Sequence, residues 1–290
     1  MISKEKSYLC SVFVIYLPEV SIDAIVSKVT TMSNFIKSIV RIIIVVAIGI
    51  AAFLLSSMIL KYVNIGNDDL RFLLSYITPM LLMISGVILY NRLGVKSPNR
   101  TMWSIRGFNP IVHIWCLILL ISLSIVLAPL MQLLPESDMA IPTGMWAVVT
   151  IIVFAPIIEE LLFRANIYSV MREGLHPSIA AAIAATLFGV MHGNIAVAIE
   201  AFFAGMIFSY AYIYTRSIFA PIMLHIYNNI IAYVLLQFTY QDNTIKDYIG
   251  ALPWFHIIYA ISLTILLLGS IHIVLTYRRA NRVSESRRVI

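Results

Sequence analysis

Apolar runs long enough to cross a bilayer recur along this whole chain, at residues 42–60, 72–90, 111–134, from about 143 to 158, 195–214, 218–238 and 254–277, with a shorter one at 179–191. A helix needs about twenty apolar residues to span the hydrocarbon core. Backbone groups there must bond within their own segment or close into a barrel, and continuous apolar runs of this length fit helices. With 61% hydrophobic and only 12% charged residues among 290, the chain lacks the polar surface of a soluble globule. The expected fold class is an all-α polytopic membrane protein with about eight transmembrane helices and an active-site cavity between the helices of the C-terminal half.

The charges report topology. The loop 91–110 carries Arg92, Lys96, Arg100 and Arg106 and no acid, whereas the following loop carries Glu136 and Asp138 and no base. Lys and Arg gather on the cytoplasmic side, so the first loop faces in and the second out. The link 240–253 holds Asp242, Lys246 and Asp247, and the chain closes on Arg278, Arg279, Arg282, Arg287 and Arg288. Both termini are expected inside, the terminal arginines serving as an anchor for anionic headgroups. The formal net charge of +6 thus follows from loop placement and gives no reason to expect a nucleic-acid partner. Cys10 and Cys116 lie far apart, with neither disulfide nor metal spacing.

Four segments are expected. Residues 1–35 form a tail, interfacial or an extension upstream of a start at Met32; 36–140 hold the first three spans; 141–278 form a catalytic core of five; 279–290 are a basic cytoplasmic tail.

Against this apolar background Glu159, Glu160 and Arg164 stand out. Each ionisable side chain at the centre of a membrane helix costs about 2.5–3.5 kcal/mol on insertion scales, so adjacent glutamates need a partner or a wet cavity. Arg164 follows Glu160 by four residues and shares its face, while Glu159 is turned away by about 100°. Pro156, four residues before Glu160, removes a helical hydrogen bond just ahead of the pair. The fourth span is expected to run inward and to deliver these charges at its cytoplasmic end. Two more polar patterns follow at one-turn spacing, Phe188 with His192 and His225 with Asn229. The alanines 180–182, 184 and 185 suit close backbone approach. The brief link at His192–Asn194 suggests a turn below the outer surface, with His192 inside the membrane.

The order Glu-Glu-x-x-x-Arg, Phe-x-x-x-His, His-x-x-x-Asn on successive membrane helices resembles the CPBP family of intramembrane proteases, also called Abi, named for CAAX proteases and bacteriocin-processing proteins. The likeness spans about residues 143–235 and includes Gly205, Ser217 and Pro221. It implies an intramembrane endopeptidase acting on a membrane-associated or lipid-anchored peptide or protein, seated multi-pass in the cell membrane of a bacterium. By that resemblance Glu159 is the general base, His192 helps bind and orient the attacking water, and His225 and Asn229 stabilise the oxyanion. Glu160 becomes an electrostatic support held by Arg164, and Phe188 packs against His192.

Three alternatives stay open. Glu159, His192 and His225 are also a reasonable donor set for Zn²⁺ or another divalent metal with an open position for water. The preferred reading has no cofactor, because the mechanism inferred for CAAX-cleaving members needs no metal and Asn229 is a better oxyanion donor than zinc ligand. A non-catalytic bacteriocin self-immunity or regulatory protein would use the same helices to bind a partner, and a transporter would use the carboxylates as a proton relay. His113, His256 and His272 read as packing or interfacial residues. Glu200 departs from the family pattern and is expected to line the cavity, face a wet crevice or pair with a base such as Arg216.

Overall fold

In the computed structural model the described residues are 22–94, 109–134, 144–239 and 254–286, and every regular element among them is helical. In chain order these are α1 (Ile22–Tyr62), α2 (Asp68–Gly94), α3 (Pro110–Met131), α4 (Met145–Arg172), α5 (Pro177–Val190), α6 (Ile195–Thr215), α7 (Phe219–Thr239) and α8 (Phe255–Ser286). Six of them contain apolar segments long enough to cross a membrane; α5 and the segment Phe219–Leu235 of α7 are shorter apolar helices. The all-α polytopic expectation therefore holds. The residues Lys96, Arg100, Arg106, Glu136 and Asp138, the link 240–253, the segment 1–21 and Arg287 and Arg288 lie outside the described residues. Within the expected 1–35 tail, Ile22 already begins α1.

Helix ends inside an apolar medium need partners for their free N–H groups. Asn109 accepts from the Ile111 and Val112 amides with Pro110 opening α3, and Asn194 does the same for Ala196 and Val197 at the start of α6. Helix α4 has no cap of its own, since Gly144 carries no side-chain acceptor. Asp69 supplies one from α2, its two oxygens accepting from Trp146 N at 2.8 Å and Ala147 N at 2.7 Å. A Cβ on Gly144 would sit 2.2 Å from the Asp69 carboxyl carbon, so the bare backbone is what lets the carboxylate in.

Helix α6 is the hub, touching α3, α5, α7 and α8, while α4 is flanked by α2, α5 and α7 and α1 lies outside α2. Ala180, Ala181, Ala184 and Ala185 are fully buried, forming the small-residue face along which α5 meets its neighbours. Ala182 lies off that face and is only half-buried. Closest approach falls at Gly189, where an added Cβ would stand 2.5 Å from the Ala198 carbonyl oxygen of α6. Backbone cannot give way as a flexible side chain can, so Gly189→Ala is expected to destabilise the protein by about 1–3 kcal/mol. It should also lower activity, since His192 lies one turn on; thermal unfolding in detergent and a cleavage assay would check both effects.

One expectation is corrected. Glu159 and Glu160 do not close the fourth span; α4 continues to Arg172 and the pair falls near the middle of its 28 residues. The reason is the chain beyond Arg164, where Ile167, Val170 and Met171 are buried apolar side chains that prolong the helix through the core. Charges ordinarily end a span, but here Glu160 is paired with Arg164 inside it.

Candidate active site

Helix α4 is not uniform. It passes from α-helix into a π segment at Thr150–Phe154, returns to α at Ala155–Glu160, and widens again at Leu161–Tyr168. Single wide turns of this kind gather at functional sites because they free backbone groups and re-aim side chains. The sequence explains the first one. The Ala155 N–H bonds the Thr150 carbonyl, and the residue five on from Ile151 is Pro156, which has no N–H to offer. The Ile151 carbonyl is thereby released, and Asn229 Nδ2 of α7 donates to it at 2.9 Å. Asn228 Nδ2 lies 3.5 Å from Asn229 Oδ1, so the amide is held from both ends and its nitrogen is assigned to the α4 side. In the second wide turn Asn166 Nδ2 donates to the Leu161 carbonyl at 2.7 Å.

Arg164 and Glu160 are both fully buried and paired, Nη1 to Oε1, at 2.8 Å. Arg164 Nη2 donates to the Gly205 carbonyl of α6 at 3.1 Å, and its guanidinium carbon lies 4.9 Å from the Phe188 ring centroid and 5.3 Å from that of Phe208. A planar cation suits this slot because it can fork to a carboxylate and stack on rings at once. Gly205 leaves the room, as a Cβ there would meet Arg164 Nη2 at 3.0 Å.

His225 of α7 joins the two glutamates. Its Nδ1 is 2.9 Å from Glu160 Oε1 and its Nε2 is 3.5 Å from Glu159 Oε2. Glu160 Oε1 already accepts from Arg164, so Nδ1 is the donor toward it, which leaves Nε2 turned to Glu159. The ring stacks on Phe208 with 4.8 Å between centroids and an interplanar angle of 24°. On the other side Phe188 meets both imidazoles edge-on, His192 at 4.8 Å and His225 at 5.6 Å. His192 Nδ1 lies 2.8 Å from the Phe188 carbonyl, a contact that fixes its proton there and leaves the Nε2 lone pair free to accept. Among the described residues no hydrogen bond links Glu159 to His192 directly.

The structure thus gathers Glu159, Glu160, Arg164, Phe188 and His225 into one buried cluster, with His192 at its edge on Phe188 and Asn229 one helical turn beyond His225. Glu159 is 6% exposed and His225 4%. With two carboxylates and one guanidinium the cluster carries one net negative charge when His225 is neutral.

One partner escaped the sequence. The Tyr76 hydroxyl of α2 hydrogen-bonds Glu159 Oε1. Glu200 is exposed near the start of α6, about 24 Å along the helix from Arg216 at 1.5 Å per residue, which rules out the pairing considered above. His113 and His272 sit against the Asn109 carbonyl and the Tyr210 and Tyr214 rings respectively, as packing residues. Among the described residues no three His, Cys, Asp or Glu side chains converge as metal donors, and both nitrogens of His225 are turned to glutamates.

Comparison with curated proteins and with solved structures finds no match. The sequence model of the family described as type II CAAX prenyl endopeptidase Rce1-like matches residues 141–231, which is under half of the chain but holds every site residue from Glu159 to Asn229. Tyr76 lies outside it. Residues 141–231 are thus similar to the Rce1-like CAAX prenyl endopeptidases, in line with the resemblance to the CPBP intramembrane proteases.

Proposed function

We propose that the chain hydrolyses a peptide bond in a membrane-associated or lipid-anchored peptide or protein, using water activated by Glu159. The observation that carries this is the buried contact of Glu159 with His225, in a cluster where Arg164 and Glu160 neutralise one another. Pairing with Arg164 and His225 commits Glu160 to structure and leaves Glu159 to exchange protons.

Water bound between Glu159 and His192 Nε2 attacks the scissile carbonyl. The new C–O bond forms as one water proton passes to the Glu159 carboxylate. The tetrahedral oxyanion is met by the second N–H of Asn229 Nδ2, whose first is spent on Ile151, and by the Nε2–H of a doubly protonated His225, whose Nδ1–H stays on Glu160. Donors fixed in place before the reaction stabilise developing charge most, because nothing has to reorient. Collapse breaks the C–N bond, and Glu159 returns its proton to the leaving amine. The roles of Glu160 and Phe188 are then to hold His225 and to separate the imidazoles.

Two measurements test the reading. Membranes containing the active chain should accumulate peptides with new termini that are absent from membranes lacking it. A reporter peptide spanning such a bond should be cleaved at a rate that a chelator changes by no more than about twofold, since no step is assigned to a metal. Unaltered termini would contradict the hydrolase reading; loss of activity with chelator and rescue by zinc would contradict the metal-free one.

A further inference from the structure

We propose that Tyr76 is a positioning residue for the Glu159 carboxylate, and that it commits Oε2 as the atom that takes the water proton. The inference rests on the reading of Glu159 as the base. Helix α2 runs beside α4, and the Tyr76 ring packs against the buried cluster that includes Met80, Ile158 and Leu162. Its hydroxyl ends on Glu159 Oε1. The carboxylate has no proton to give when ionised, so the phenol is the donor and Oε1 the acceptor.

The terminal torsion of a glutamate is broad, and without a partner the carboxylate would sample many orientations. Tyrosine is well suited to restrict it, because a large ring is fixed by only two torsions. With Oε1 engaged by Tyr76, Oε2 is left 3.5 Å from His225 Nε2. Proton transfer from water to Oε2 then occurs beside the imidazole that meets the oxyanion, while Oε1 stays hydrogen-bonded to the phenol. The active site therefore extends beyond the matched 141–231 segment, and the N-terminal helices contribute a side chain to it.

Tyr76→Phe removes one oxygen and keeps the ring. In liposomes, with the reporter peptide, its kcat should fall about 10- to 100-fold, the scale of a misaimed catalytic group, with KM and the unfolding temperature unchanged. In a Glu159→Asp background, where the carboxylate is drawn back by one methylene, the same substitution should make little further difference. A wild-type or faster kcat in Tyr76→Phe, or an equal loss in both backgrounds, would overturn the inference. Inactive Glu159→Gln beside fully active Tyr76→Phe would remove this inference alone, whereas active Glu159→Gln would remove the hydrolase reading itself.

Discussion

Glu159→Gln is expected to lower peptide cleavage by about 10²–10⁴-fold, the range set by loss of a general base, and to leave the fold intact. Glutamine is nearly isosteric. Its NH₂ can donate to the Tyr76 hydroxyl oxygen, and its amide oxygen can accept from His225 Nε2–H, so both observed contacts of Glu159 survive the change. What is lost is the ability to take a proton from water. The loss should appear in kcat rather than KM, because substrate binding does not depend on that proton. Reporter cleavage by equal amounts of the two proteins, matched by their unfolding temperatures, measures it.

Arg164→Leu should have the largest effect on stability, about 3–5 kcal/mol, because it strands Glu160 as an uncompensated charge where neither residue is exposed. It also removes the bond to the Gly205 carbonyl and the stacking on Phe188 and Phe208 that tie α4 to α5 and α6. Arg164→Lys keeps the charge but cannot fork to Glu160 and Gly205 or lie flat between the rings, so it should recover only part of the loss. A Glu160→Gln, Arg164→Met double variant removes both charges and should unfold at a higher temperature than Arg164→Leu. It should stay poorly active, because His225 has lost the carboxylate that holds its Nδ1. Equal unfolding temperatures for wild type and Arg164→Leu would show that the pair contributes nothing.

Each of the eight described helices overlaps an apolar run read from the sequence, while the caps that start α3 and α6, Asn109 and Asn194, came only from the structure. The polar patterns were legible from one-turn spacing, which brings Glu160 to Arg164 and joins His192 to the Phe188 carbonyl. The course of α4 was not. Its widened turns depend on which carbonyl Pro156 releases and on Asn229 being near to fill it, a tertiary fact with no local signature. The mid-helix location of the glutamates was hidden by the same pair that makes it possible, since a neutralised charge no longer ends a span. Tyr76 was one of fifteen tyrosines in the chain, set in an apolar run with nothing to single it out. Only the approach of α2 to α4 gives it a partner.

The most direct test of an activated water at Glu159 uses membranes carrying either wild-type protein or Glu159→Gln, incubated in H₂¹⁸O and analysed by mass spectrometry of peptide termini. Wild-type membranes should yield new C-termini that bear one ¹⁸O, formed within the first turnover, and Glu159→Gln membranes should not. The same labelled termini from both, or first-turnover products that carry only ¹⁶O, would contradict the account.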